Sequence, residues 1–225
     1  MCGIHQPPQT NPFSNTFITS KPFSMKLSII TLILSLSTLT SITTAGNDTV
    51  LDITGDKLRP GTKYNILPVF RGRGGGLSLA HLNHSSSCPL VVVQELSEVN
   101  AGQPLTFYPV NGHDKAVKLS TDVNVEFTVT ATVWKLSNVA EECGNRRYVV
   151  SGGVKGKPGL ETVSNWFRIE KSESGDYKLV FCPHVCKYCK VLCGDLGVFV
   201  DGGRRWLGFG GDFFTVMFRK FEYGK

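Results

Sequence analysis

The chain has 225 residues, a formal net charge of +6 and 41% hydrophobic residues, enough for one substantial domain with its own core. Its basic residues are scattered, with the densest groups at Arg71/Arg73, Arg146/Arg147 and Arg204/Arg205; with no basic helix or arm, nucleic acid is not an expected partner. The 24 glycines and 11 prolines, without long Ala, Glu, Leu and Lys runs, argue against a helical bundle and for short strands joined by turns.

In chain order, Met25-Lys26 precedes an apolar stretch from Leu27 to Leu39 that ends in the small residues Thr43-Thr44-Ala45-Gly46. This is the pattern of a secretory signal peptide over 25–45, cut after Ala45 or, alternatively, Gly46. Ser and Thr interrupt the apolar stretch, which is short for a membrane span, so the mature form is not expected in a membrane. Residues 1–24 are polar and lack both acidic residues and arginine. They read as an upstream start or a tolerated N-terminal extension, and the missing arginine argues against a transit peptide. The folded domain is therefore assigned to 46–225 and expected to be secreted, to the extracellular apoplast or to the vacuole. Two sequons, Asn47-Asp48-Thr49 and Asn83-His84-Ser85, mark Asn47 and Asn83 as expected glycosylation sites.

Beyond the leader, short apolar or alternating runs recur between Gly, Pro, Asn and Asp. They are Val50–Ile53, Tyr64–Phe70, Gly76–His81, Leu90–Gln94, Leu105–Val110, Val125–Leu136, Tyr148–Ser151, Trp166–Lys171, Tyr177–Phe181, Gly197–Val200, Arg205–Phe209 and Phe213–Phe218. So many short strands predict an all-β sandwich, barrel or trefoil. The glycine-rich segments 72–76 and 152–156 open no helix and precede no Lys-Ser/Thr pair, so they read as turns and not as phosphate cradles. Asp201-Gly202-Gly203 reads as a hairpin turn.

Apart from Cys2 in the leader, the cysteines are Cys88, Cys143, Cys182, Cys186, Cys189 and Cys193. An even number in an exported chain predicts disulfides. The run Cys182-x3-Cys186-x2-Cys189-x3-Cys193 is symmetric, which suggests nested pairs. Four thiolates with His184 could instead hold zinc, but zinc ribbons separate two cysteine pairs by a longer gap, and export favours pairing. A redox-active Cys186/Cys189 pair normally opens a helix, whereas the residues that follow look like strand. Cys143 could pair with Cys88 if their Cα atoms lie within about 7 Å. Otherwise both thiols stay free or Cys143 links two copies of an otherwise monomeric protein. His81, His84, His113 and His184 accompany no nucleophile with a recognisable partner motif, so neither an enzyme, a metal nor a cofactor is expected.

Several segments together resemble the plant Kunitz-type family of soybean trypsin inhibitor and miraculin-like proteins. They are Val50-Leu51-Asp52-Ile53-x-Gly55-Asp56-x-Leu58-Arg59-x-Gly61-x-x-Tyr64, Cys88-Pro89-Leu90-Val91-Val92-Val93-Gln94, Asn165-Trp166-Phe167-Arg168-Ile169-Glu170 and Tyr177-Lys178-Leu179-Val180-Phe181-Cys182-Pro183. The stretch from Val185-Cys186 through Cys193-Gly194-Asp195-Leu196-Gly197-Val198 is most similar to the miraculin-like branch. The resemblance spans residues 47–219. It implies a β-trefoil of about twelve strands with pseudo-threefold symmetry, and the pairs Cys182–Cys193 and Cys186–Cys189.

It also implies inhibition of a serine endopeptidase, or in some members a cysteine endopeptidase, in plant defence. The contact is an exposed loop after the fifth strand that docks like a substrate, preorganised so that little entropy is lost. That loop maps onto Tyr108–Lys118, with Val110, Asn111, Gly112, His113, Asp114 and Lys115 as its reactive part. The family's primary contact falls near Gly112, His113 or Asp114, none a permanent cation, whereas a trypsin-like pocket takes Arg or Lys; Lys115 is the nearest base. Two departures accompany this. Arg59-Pro60-Gly61 stands where many members brace the loop with an asparagine. The segment bearing the partner of Cys88 looks shortened between Phe127 and Trp134, which would leave a strand edge unpaired. The alternative function is a non-inhibitory carbohydrate- or protein-binding member of the miraculin-like branch.

Overall fold

The structure is a computed structural model, and it describes residues 48–82, 88–138 and 146–222. The extension 1–24, the leader 25–45, Asn47, Asn83 and Cys143 lie outside the described residues. The fold is all-β, with thirteen strands among the described residues joined in one sheet. In chain order they are β1 Tyr64–Pro68, β2 Leu77–Ala80, β3 Val91–Gln94, β4 Leu105–Pro109, β5 Val123–Phe127, β6 Thr132–Leu136 and β7 Val149–Gly153. They continue as β8 Arg168–Lys171, β9 Tyr177–Phe181, β10 Gly194–Asp201, β11 Arg204–Phe209, β12 Asp212–Phe213 and β13 Thr215–Lys220.

Turn chemistry sets the register. Between β10 and β11, Gly202 and Gly203 have φ of 57° and 74°, and Asp201 faces Arg204. Two consecutive left-handed residues are what a two-residue hairpin needs to match strand twist. The run Val50–Ile53 does not become a strand. Asp52 Oδ1 accepts from the Thr54 and Asp56 amides at 2.9 and 3.1 Å, so the chain turns at once. Only the bridges Thr49↔Lys118 and Leu51↔Lys57 remain. The long run Val125–Leu136 divides into β5 and β6, with Glu126↔Val133 and Phe127↔Thr132 paired and Ala131 at φ 48° in the turn. The expected unpaired edge is not found: β5 is flanked by β4 on one side and β6 on the other. A 3-10 turn at Leu160–Asn165, invisible to strand patterning, leads into β8.

The sheet closes on itself, because β9 pairs β10 as well as β13. Three hairpins, β2–β3, β6–β7 and β10–β11, recur at intervals of four strands. Their second strands meet: Val91 pairs Val150, Gln94 pairs Arg205, and Tyr148 bridges Gly208. A small cluster of Leu82, Val91, Val93, Tyr148, Val150 and Trp206 fills this junction.

The main core is aromatic, with Trp134 edge-on to Phe167 at 5.8 Å and Phe107 edge-on to Phe218 at 5.5 Å, geometries that add to the burial of large apolar area. Cys182–Cys193, with Cα atoms 4.2 Å apart, sits directly beyond the Phe181↔Gly194 pair. Cys186–Cys189, 5.4 Å between Cα atoms, staples the loop between β9 and β10. All four thiols are thus consumed in disulfides, which removes them as zinc ligands. Cys88 is also disulfide-bonded, so a free Cys88 thiol is excluded.

Candidate functional site

The segment that leaves the barrel between β4 and β5 is held at both ends. At its start the Val110 amide donates to the Asp122 carbonyl at 2.8 Å. At its end the Val117 amide donates to Leu58 O at 2.8 Å, and Val117 O accepts from the Val50 amide at 2.9 Å. The N-terminal segment 48–58 therefore runs beneath the loop as a strap, with Val50, Leu58 and Val117 all fully buried. Lys118 pairs with Asp114 at 3.1 Å across one turn of the loop. Between these anchors Val110, Asn111, Gly112, His113 and Lys115 are exposed, and Asp114 is half-buried.

The structure thus gathers the six residues expected to be reactive on one protruding tip. They are not uniformly extended. Asp114 N donates to Asn111 O at 3.1 Å, and His113 N donates to Asn111 Oδ1 at 3.3 Å. This closes an Asx-type turn over 111–114. Gly112 is not at positive φ and has open space where a Cβ would stand, so the turn tolerates other residues. The loop follows the fourth strand and not the fifth, because Val50–Ile53 is not a strand. Pro60 has no polar side-chain group, so support from below is by backbone, through Leu58 O.

Two buried polar constellations near the base of the loop were given no role by the sequence. Asp122 closes the loop and is buried with Arg168: Arg168 Nε donates to Asp122 Oδ1 at 2.8 Å, and the His184 amide donates to Oδ2 at 2.8 Å. This one carboxylate ties the loop to β8 and to the disulfide-stapled segment. Asn124 is completely buried, with Nδ2 donating to Asn165 O at 2.9 Å and Oδ1 accepting from the Gly156 amide at 2.7 Å. The signal that could have found them is a polar residue inside a strand-like apolar run, Val123-Asn124-Val125 and Phe167-Arg168-Ile169. Buried polar groups persist only where they are satisfied.

Beside the loop, Lys155 Nζ lies 2.9 Å from Glu126 Oε2 and 4.2 Å from the Tyr108 ring centroid. The hydrogen bond to Glu126 holds this ammonium above the usual lysine range. Burial pushes the Tyr64 phenol up, although its oxygen accepts from the Arg59 amide at 3.0 Å. His113 sits on the exposed tip and His184 is exposed in the stapled loop.

An exposed loop, strapped at both ends to a closed, disulfide-stapled β-barrel, defines a class of binding scaffold and not a catalytic cleft. Residues 50–220 match the legume Kunitz family, described as trypsin and protease inhibitor, and the chain belongs to that family. It is accordingly of an inhibitor family and not an enzyme. It is 46% identical to miraculin of Synsepalum dulcificum over 185 residues, 77% of this chain and 84% of that one. It is 44% identical to Kunitz trypsin inhibitor 5 of Arabidopsis thaliana, over 79% of this chain and 88% of that one. Among solved structures, a Kunitz-type cysteine protease inhibitor from potato superposes with a TM-score of 0.66 at 31% identity, covering 78% of this chain and 98% of that chain.

Proposed function

We propose that the chain is a secreted inhibitor that blocks a serine or cysteine endopeptidase by placing the 110–116 tip in the enzyme's cleft. The observation that supports this is the double anchoring of an exposed tip, Val110 N to Asp122 O and Val117 N to Leu58 O. Because the barrel already fixes both ends, docking orders few additional residues, and the severed ends of a cleaved tip would stay in register. Names of relatives support the class: the Arabidopsis relative is called a trypsin inhibitor and the potato structure a cysteine protease inhibitor. The reactive part is Val110–Lys115, and with no arginine on the tip, Lys115 is its cation. Titrating trypsin, chymotrypsin, subtilisin and papain with the disulfide-bonded chain tests the reading; stoichiometric loss of one activity supports it.

A second reading is favoured by the closed turn at Asn111–Asp114. A cleft that binds extended substrate must open this turn, so the tip could serve a non-inhibitory protein- or carbohydrate-binding role. A specific glycan-array profile without inhibition of any of the four proteases would select it.

The same inference extends to fold symmetry, processing and pairing. The hairpins β2–β3, β6–β7 and β10–β11, meeting at β3, β7 and β11, support a β-trefoil with a pseudo-threefold axis. We assign the domain to 46–225 after removal of a 25–45 signal peptide, and the chain to the apoplast or vacuole, with glycans at Asn47 and Asn83. Cys88 is assigned to Cys143, since the other four cysteines of the domain are paired with one another. Peptide mapping of the secreted product checks cleavage, glycans and pairing together.

A further inference from the structure

A second exposed loop flanks the first. Residues 154–158 lie against β5 next to the base of the 110–118 loop. Tyr108, two residues before Val110, faces Asn124 in the β4–β5 register and lies under Lys155. Two buried amide side chains hold this loop from beneath, Asn124 at 0% and Asn165 at 4% exposure. Asn124 Oδ1 accepts from the Gly156 amide at 2.7 Å, and Asn165 Nδ2 donates to Val154 O at 3.1 Å. Asn124 Nδ2 joins the two by donating to Asn165 O at 2.9 Å. Thr162 Oγ1 adds a hydrogen bond to Lys157 O at 2.5 Å.

On this brace Lys157 is held at φ 54°. That region favours glycine, and Lys157 also precedes Pro158, which pushes the preceding residue towards extended backbone. A strained residue persists only where its surroundings over-determine it, and such positions cluster at binding sites. The charge on neighbouring Lys155 is taken by Glu126. The Lys157 ammonium is exposed and has no partner among the described residues. Val154 and Leu160, 49% and 67% exposed, flank it with apolar surface.

We infer that the 154–160 loop is a second contact surface for the endopeptidase engaged by the 110–118 loop, with Lys157 presented to an acidic patch beside the enzyme's cleft. The inference rests on the protease reading above. A pre-set cation at the rim of an interface speeds encounter and makes it salt-sensitive.

The test is stopped-flow or surface-plasmon measurement of association with trypsin, chymotrypsin, subtilisin and papain across a range of NaCl concentrations. The proteins are the wild-type chain, Lys157→Glu and Lys157→Gly. With the protease that binds, Lys157→Glu should slow association at least about fivefold at low salt and flatten its salt dependence. Lys157→Gly should also slow association while raising Tm, because glycine relieves the backbone. Wild-type association rates and salt dependence in Lys157→Glu overturn the inference, as does slowed association accompanied by a fallen Tm, which would make Lys157 only a scaffold residue. If the wild-type chain binds none of the four, the protease reading itself fails and this inference falls with it. Tight wild-type inhibition with an indifferent Lys157 leaves the protease reading standing and removes only the 154–160 contact surface.

Discussion

Replacing Asp122 by alanine should damage the fold more than any other single exposed or polar substitution near the loop. Asp122 and Arg168 have side chains only 4% and 10% exposed, and they meet at 2.8 Å. Asp122→Ala leaves the guanidinium buried without its counter-charge, which costs about 3–5 kcal/mol. The His184 amide loses its acceptor as well, adding about 1 kcal/mol for a partly buried donor. A loss of about 5 kcal/mol, at a urea slope of about 2 kcal/mol/M, moves the unfolding midpoint down by about 2.5 M. The companion is the double variant Asp122→Ala/Arg168→Met, which removes both charges and fills the space with an apolar chain. It should regain at least about 1 kcal/mol relative to the sum of the single changes, since partners in contact are coupled. A midpoint shift for Asp122→Ala below about 0.5 M, with no coupling in the cycle, would refute the view that this carboxylate clamps the loop base.

Loss of the outer disulfide through Cys182→Ala/Cys193→Ala should cost about 3 kcal/mol by the chain-entropy estimate for its 11-residue separation, read as a lower thermal midpoint under non-reducing conditions. Gly76→Ala should destabilise by about 1–3 kcal/mol, because its Cβ would collide with the Ala101 carbonyl and no flexible side chain can yield. Folding stability should fall at alkaline pH: burial raises the folded pKa of Tyr64, so its contribution is complete below the ordinary tyrosine value of about 10 and lost as pH climbs through the higher folded value. Tyr64→Phe should therefore show a shallower decline in Tm between about pH 10 and pH 11 than the wild type. Lys115→Ala should weaken inhibition of a protease with an acidic primary pocket at least about tenfold and leave Tm unchanged, since Lys115 is exposed.

The strands were legible where apolar residues ran between turn residues, and the glycine hairpin at Gly202-Gly203 was legible because its backbone permits little else. What misled was local polar chemistry. Asp52 looks like an interruption in Val50–Ile53, yet its carboxylate organises a turn that stops a strand from forming. Val125–Leu136 reads as one run because the turn between β5 and β6 contains Val129 and Ala131, apolar residues in a position that patterning assigns to strand. The protruding segment 110–118 was located from family likeness, and its anchoring could not be read at all. Its partners, Val50, Leu58 and Asp122, are distant or ordinary in sequence and meet only when the barrel closes. Asn124 and Arg168 were hidden for a related reason: a polar residue in a strand usually faces water, and only the packing of the 154–165 segment and the stapled loop turns these inward.

The central claim is that the strapped tip at 110–116 engages a protease. Its most direct test is a titration of trypsin, chymotrypsin, subtilisin and papain with the disulfide-bonded chain, alongside a variant in which Asn111–Lys115 is replaced by a glycine-serine linker. Stoichiometric inhibition of one enzyme by the wild type, abolished in the linker variant although its Tm is preserved, is the predicted result. No inhibition of any of the four, or inhibition that survives removal of the tip, would contradict it.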